Sequence, residues 1–463
     1  MLRLSAGQVE SLWDEVLPVQ VRELPEDLRA LDELLCDPEL LVPIAIRWER
    51  KLREASKFSD RGRPSLAMES YVRLMVIKHR SGWGYETLMR EVSDSIHLRR
   101  FCRLGLTSPV PDESTVRKLT RRIGAETVAE LTRALIVKAT REKRFRPRAV
   151  RIDSTVIEAD VKYPTDAGLA SSGVRLLARE GRKLARLIGE KKARVRDRSR
   201  AMGHKLRTIT RTIRRRSGEA KQEVLKLTGE TGELLKRSIR EARRLAQLAR
   251  RKARGHGAKA KLKAATALEE MADRCEKVAR QIKQRVAGEP IKDRIVSLHD
   301  PDARPIRKGK LGKKTEFGFV SQVAEVTENT KPGARGLILP ASTELGNPAE
   351  ETLLPGTVAE LDRLGIKIRE VAVDGGFKPG PTNTALADLQ PKTVFIAGRQ
   401  EPASKRTTRR LRRYRTGEEG RISHLKRRYG LDRSRLKGDE GRQIWTEWAI
   451  LAYNTDTLAV RER

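Results

Sequence analysis

Aromatic residues make up only 4% of this 463-residue chain, cysteine occurs three times and histidine six. Cys36, Cys102 and Cys275 are too far apart in sequence for a zinc spacing or a disulfide framework, a usage that suits a reducing cytoplasm. The histidines are scattered as well, so any metal is expected on oxygen ligands. No apolar run approaches the ~20 residues needed to span a bilayer. Met1 to Glu10 lacks the basic-then-apolar pattern of a secretory leader. The expectation is a cytoplasmic protein with no membrane partner. Acidic residues are in deficit: 62 Asp+Glu stand against 99 Lys+Arg, a formal charge of +37. So basic a chain points to a polyanion, and with membrane binding disfavoured that polyanion is nucleic acid.

The chain is long enough for two or more domains. Residues 1–60 read as short helices, one opened by Leu24-Pro25-Glu26-Asp27-Leu28. Residues 61–145 read as a helical domain entered through the basic loop Arg61-Gly62-Arg63-Pro64. Helical spacing runs through Tyr71, Leu74, Met75 and His79 and stops at Ser81-Gly82, and a second helix starts at Tyr85. Pro111-Asp112-Glu113-Ser114-Thr115 opens a third, with Val116, Leu119 and Ile123 on one face and Arg117, Lys118, Arg121 and Arg122 on the others. A short helical domain ending in a basic helix is compatible with helix-turn-helix DNA binding. A solvated basic helix packed on its own domain is the competing reading.

Residues 146–163 return to strand character, and then the texture changes. From 171 to 290 there are 36 Lys+Arg, 13 Asp+Glu, no aromatic residue and no proline before Pro290. Leu177, Leu184, Leu187 and Ile188, then Leu225, Leu234, Leu235 and Ile239, then Leu245 and Leu248 recur at helical spacing. This argues for long paired helices, a coiled-coil-like insertion, over a disordered basic arm. Ser217-Gly218, Thr228-Gly229 and Gly255-His256-Gly257 are the expected breaks. From 291 to 463 strand-like and helical stretches alternate, which predicts a mixed sheet with helices on its faces.

Three acids carry the chemical signal. Asp153 lies in the β-branched run Ala149–Ile157, and Asp374 ends Val371-Ala372-Val373 and is followed by Gly375-Gly376. In α/β sheets functional side chains gather at strand ends. Glu419 sits on a basic helix where Arg415, Glu419, Ile422 and Lys426 fall on one stripe, spaced 4, 3 and 4 apart. Glu418 competes with Glu419 on sequence alone, and a salt-bridged surface stripe is the plain alternative. Magnesium prefers carboxylate and water oxygens and leaves positions open for phosphate.

These blocks resemble the bacterial insertion-sequence DDE transposases, in the group with a Tyr-(2)-Arg-(3)-Glu-(6)-Lys signature. Arg63-Pro64 through Arg122 is similar to that family's N-terminal helical domain. Asp153-Ser154-Thr155-Val156 with Tyr163-Pro164-Thr165-Asp166 resembles its first aspartate block, and Val373-Asp374-Gly375-Gly376-Phe377 its second. Arg415, Glu419 and Lys426 fall at the signature spacing, which picks Glu419 over Glu418. Arg428-Tyr429-Gly430-Leu431 and Leu451-Ala452-Tyr453-Asn454 resemble its C-terminal helices. Two departures stand out: Arg412 holds the tyrosine position, with Tyr414 two residues on, and a long basic insertion follows the first aspartate.

The resemblance implies an α/β RNase H-like catalytic core over 146–170 and 291–463. It implies Asp153, Asp374 and Glu419 as catalytic ligands of Mg²⁺ (Mn²⁺ as an alternative), with Arg415 and Lys426 on DNA. The implied partners are double-stranded DNA (the element's terminal repeats and a target) and a second copy of the chain, in a bacterial, nucleoid-associated setting. Asp160, Glu158 and Asp300 are read as surface or turn acids. A non-catalytic DNA-binding descendant and an RNA-handling nuclease are the other readings.

Overall fold

The computed structural model describes residues 2–7, 16–54, 65–255, 257–307 and 315–461. The basic loop expected at Arg61–Pro64 lies outside them. The main helices ahead of the first strand are α1 (Glu26–Leu35), α2 (Val42–Glu54), α3 (Met68–Ser81), α4 (Tyr85–Asp94), α5 (Ile96–Phe101) and α6 (Glu113–Arg141). Strand β1 (Ala149–Ala159) follows, then helices α7 (Asp166–Leu187), α8 (Ser199–Thr212), α9 (Gly218–Arg251) and α10 (Ala258–Val286). Next come β2 (Arg304–Arg307), β3 (Thr315–Thr327), β4 (Leu337–Ile338), α11 (Leu354–Arg363) and β5 (Glu370–Val373). The chain closes with α12 (Pro379–Leu386), β6 (Thr393–Ile396), α13 (Lys405–Arg428), β7 (Arg433–Ser434) and α14 (Gly438–Arg461). No described helix is long and apolar enough to cross a membrane.

The chain divides into two compact units, Met1–Asp160 with Gly318–Arg463, and Val161–Phe317. In the first unit β1 is the central strand. It pairs antiparallel with β3, from Ala149 opposite Thr327 to Glu158 opposite Gly318. On its other side it pairs parallel with β5, from Ala149 beside Glu370 to Ile152 beside Val373. β6 continues the sheet in parallel beyond β5, β4 lies antiparallel on β3, and β7 pairs with the far end of β1. This mixed sheet with helices agrees with the α/β texture read from the sequence.

The N-terminal helices start and stop where local chemistry says they should. Asp112 caps α6 by accepting from Ser114 N at 2.7 Å, and Gly82 ends α3 in the left-handed region at φ 71°. The segment 61–145, expected as a module of its own, packs into the same unit as the sheet. Leu119, Ile123, Leu131 and Leu135 of α6 share one core with Trp445, Trp448 and Leu451 of α14 and with Val150 and Val371 of the sheet. The cause lies in α14, whose apolar residues occupy more than one face and cover helices and sheet together. α14 also acts as a polar edge for the short β4. Asn454 accepts from Ile338 N at 2.8 Å and donates to Ile338 O at 2.7 Å, while Tyr453 OH donates to Gly336 O at 3.1 Å.

The second unit is a helical body with its own core, built from Leu177 and Leu184 of α7, Leu235, Ile239 and Leu245 of α9, and Leu268 and Val278 of α10. Its limits are wider than the 171–290 expected. Asp166 is drawn in because its buried carboxylate receives Arg294 at 3.1 Å and also Arg285, and Ile295 and Leu298 add to the core. The break expected at Thr228-Gly229 does not occur: α9 runs through it. Glycine serves close approach in this stretch, since a Cβ on Gly232 would stand 2.9 Å from Ile282 Cγ2. Ion pairs between helices, such as Arg243 with Asp273 at 3.0 Å, take up part of the basic charge.

Two features of the first unit lead to predictions. A Cβ on Gly336 would run into the carbonyl oxygen of Val326, a backbone atom that cannot turn aside. Gly336→Ala is therefore expected to destabilise the chain by about 1–3 kcal/mol, read as a lower denaturant midpoint. Glu447 of α14 is buried, accepts from Ala341 N at 3.0 Å, and burial lifts its carboxyl to about 8. A carboxyl raised in the fold supports stability below its ordinary value near 4.5 and loses that support as pH climbs through about 8. Glu447→Gln should flatten the pH dependence of stability across that window, measured by chemical unfolding at stepped pH.

Candidate functional site

Asp153 and Asp374 meet through strand register. Ile152 and Val373 are the last paired residues of the parallel β1–β5 ladder, so the two aspartates follow side by side on strands about 4.8 Å apart. At that level β5 ends and the chain turns away through Gly375-Gly376. Each carboxylate is oriented by a nearby amide: Asp153 Oδ1 accepts from Ser154 N at 2.7 Å and Asp374 Oδ1 from Gly376 N at 2.6 Å. Residues two apart on a strand share a face, so Asp153 lies on the same side of β1 as Arg151 and Thr155.

Helix α13 covers that face, and a buried charge quartet fixes it there. Arg151 Nε lies 2.7 Å from Glu325 Oε2 on β3 and 3.1 Å from Glu418 Oε2 on α13. Arg421 of α13 reaches the other Glu325 oxygen at 3.1 Å. Arg151 also donates to the carbonyls of Tyr414 and Ala334, at 2.9 and 3.0 Å. Gly417 is what lets the guanidinium lie against the helix, since a Cβ there would occupy the place of Arg151 Nη1. Burial, the Glu325 charge and, more weakly, Asp153 hold the Glu418 carboxyl well above the ordinary range, against the pull of Arg151. Glu418 is thus a buried structural acid.

Glu419, the next residue, is exposed and paired with Arg415 one turn earlier, at 2.7 Å. On the same stripe Lys426 Nζ donates to Val156 O of β1 at 2.8 Å. Val156 lies past the point where β5 stops pairing with β1, so the Lys426 end of the stripe rests on β1 beyond that ladder. Among the described residues, no three His, Cys, Asp or Glu side chains are gathered closely enough to hold a metal ion. The donor set nonetheless suits Mg²⁺, which commonly takes one or two carboxylates and fills the remaining positions with water and phosphate oxygen.

Several surrounding residues have structural roles. Tyr414, near the signature tyrosine position, is buried with its hydroxyl 2.7 Å from Thr327 Oγ1, and Arg412 pairs with Glu401 at 2.8 Å. Glu158 and Asp160 both face Arg433, at 3.0 and 3.9 Å. Arg117, Lys118, Arg121 and Arg122 in the first part of α6 are exposed. Arg117 pairs with Glu113 at 3.2 Å, Arg121 donates to Lys437 O at 3.0 Å and Arg122 stacks 3.7 Å over Trp48. Lys118 completes the set. Sequence reasoning missed the quartet and also missed Glu350. A Cβ on Gly376 would meet Glu350 Oε2 and stand 2.9 Å from Asp374 Oδ1, so this second acid lies beside the Asp374 turn. Only the sequence of Arg151, two residues ahead of Asp153 in an apolar strand, hinted at a buried cation.

Comparison with known proteins finds a similarity to a transposase domain within the first unit. Residues 25–122 match a family model described as Transposase domain (DUF772), which spans α1 to the basic part of α6. A Rhizobium meliloti protein named "Uncharacterized protein ORF8 in nfe locus" is 27% identical over 162 residues, covering 33% of this chain and 78% of that protein. No solved structure matches. The match supports a transposase-related function for the chain.

The quartet makes a direct prediction. Arg151→Met leaves the Glu325 and Glu418 carboxyls buried without their shared guanidinium, a loss of about 3–5 kcal/mol. The expected result in urea unfolding is a large drop in midpoint. Adding Glu418→Gln to Arg151→Met should recover part of that loss.

Proposed function

We infer that the chain is a DNA transposase that cleaves and joins DNA strands through Asp153, Asp374 and Glu419 with Mg²⁺, on an RNase H-like core. The observation that carries the reading is the side-by-side placement of Asp153 and Asp374 on neighbouring parallel strands, with Glu419 supplied by the helix α13 that packs on β1. The transposase-domain match over 25–122 and the +37 charge support it independently. A divalent ion bound there would polarise the scissile phosphate and lower the pKa of a water. The chain's own part is positioning. The backbone amides of Ser154 and Gly376 aim the aspartates, and the Arg151–Glu325–Glu418–Arg421 quartet sets the height of α13 over them. Arg415 and Lys426 flank Glu419 with positive charge suited to phosphate oxygens. Arg117, Lys118, Arg121 and Arg122 offer a second exposed basic face for duplex DNA. Joining two element ends to a target favours a homodimer or higher homo-oligomer.

The pairing of Glu419 with Arg415 and the lack of a gathered three-acid group favour one further reading, a catalytically silent DNA-binding protein of transposase descent. A nicking assay on duplex DNA carrying the element's own ends, run beside a gel shift, separates the two. Asp153→Ala and Asp374→Ala should each lower Mg²⁺-dependent nicking by at least about 100-fold while the shifted band persists. Glu419→Gln should do the same. Nicking by the aspartate variants at the parent rate would remove the assignment, and binding without nicking in Mg²⁺ or Mn²⁺ would select the silent reading.

A further inference from the structure

A second cluster of charge lies away from the aspartates, where α3 and the Ser81-Gly82-Trp83 turn face the end of α13 and β7. It surrounds a cavity of about 690 Å³ lined by Lys78, Arg80, Trp83, Arg427, Arg428 and Arg435, with Trp445 at its wall. Its size falls within the ordinary range for ligand pockets. The charge balance inside it is one-sided: Asp432 is the single acid among the described lining residues.

Some of the cations are already spent. Arg80 pairs with Asp27 and Asp456, both at 2.9 Å, and Arg433, also on the wall, pairs with Glu158. Lys78, Arg427, Arg428 and Arg435 have no described carboxylate within ion-pair distance. Arg427, Arg428 and Arg435 reach solvent, whereas Lys78 is 2% exposed. Its ammonium sits between two aromatic rings, 4.2 Å from the centre of Trp445 and 4.8 Å from that of Tyr85. Burial, and secondarily Arg435, lower its pKa to about 7. A buried cation is normally compensated by a partner charge, and the described neighbours of the Lys78 ammonium are two ring faces and the Arg435 charge, with no carboxylate within ion-pair distance. The compensation that fits is an anion from outside.

We propose that this cavity is a binding pocket for a phosphate group of a nucleic-acid strand, with Lys78, Arg428 and Arg435 as its charged lining. Arginine forks match phosphate oxygens, and the compact lysine ammonium suits a single oxygen at the pocket floor. The volume exceeds that of a phosphate, and Trp83 offers a ring face against which an adjoining base can stack. Neither Asp153, Asp374 nor Glu419 lines this cavity, although Lys426 of the α13 stripe does. The pocket rests on the nucleic-acid reading above only for the source of its phosphate, since free pyrophosphate presents the same chemistry.

The test uses the full chain in two arms. In the first, inorganic pyrophosphate is titrated while the unfolding temperature is followed. The parent should be stabilised, Arg428→Gln/Arg435→Gln and Lys78→Met should lose most of the shift, and Arg214→Gln/Arg215→Gln in the second unit should keep it. No shift in the parent, or equal shifts in all four proteins, overturns the pocket. In the second arm, anisotropy of a labelled DNA duplex is measured against salt. Losing the contacts to that phosphate should weaken binding at least about tenfold and reduce the slope of log affinity against log salt by about 1. A parent that binds duplex while Arg428→Gln/Arg435→Gln matches it in affinity and slope overturns the nucleic-acid assignment. A parent that binds pyrophosphate but no DNA overturns it too, and takes the transposase reading with it. A pyrophosphate shift without a matching DNA effect marks a site for free phosphates.

Discussion

The first unit turns on one buried set of charges. Arg151, Glu325, Glu418 and Arg421 bring together the central strand, its antiparallel neighbour and α13. Taking these four side chains out of water is costly, and the cost falls where a charge is matched and its remaining hydrogen-bond positions are filled, while burial and the Glu325 charge push Glu418 toward its neutral form. The carbonyls of Tyr414 and Ala334 do that filling for Arg151. An apolar contact would tolerate a sliding or rotated helix. A set of directed ion pairs does not, so α13 is held at one height and one rotation over β1. That rotation turns Glu418 inward and leaves Glu419 at the surface, paired with Arg415.

The same constraint separates structural from chemical roles within a few ångströms. Arg151 and Asp153 are two residues apart on one face of β1, yet one is sealed under the helix and the other lies where β5 ends. Parallel pairing that stops at Ile152 and Val373 makes the difference. Beyond that point β1 has an open side, which Lys426 reaches through the Val156 carbonyl. A chemical site placed where a ladder terminates has room for solvent, metal and phosphate, while the sealed part of the sheet supplies rigidity. α14 contributes that rigidity from the opposite end of the chain, clamping β4 through Asn454 and covering the N-terminal helices through its tryptophans.

Much of the secondary structure was legible because it rests on local chemistry. The aspartate cap at Asp112, the glycine stop at Gly82 and the leucine spacing of α7 and α9 each act over one or two helical turns. The expected break at Thr228-Gly229 shows the limit of such signals. A glycine that ends a helix and one carried inside it look alike until Gly229 is seen within α9, with Val286 Cγ2 3.5 Å from where its Cβ would stand. The separation of 61–145 as a module failed for a similar reason, because the apolar faces of α3 and α6 do not reveal that α14 covers them.

The sequence by itself determined the +37 charge, the helix and strand periods, and the three acidic positions, since all are properties of residues and their near neighbours. Tertiary structure decided which acids share a location, which arginines are buried and which of two adjacent glutamates faces inward. It also decided that cations from α3, α13 and β7 line one cavity. These depend on strand register and helix rotation, which are set by contacts between residues hundreds of positions apart, and no local pattern encodes them.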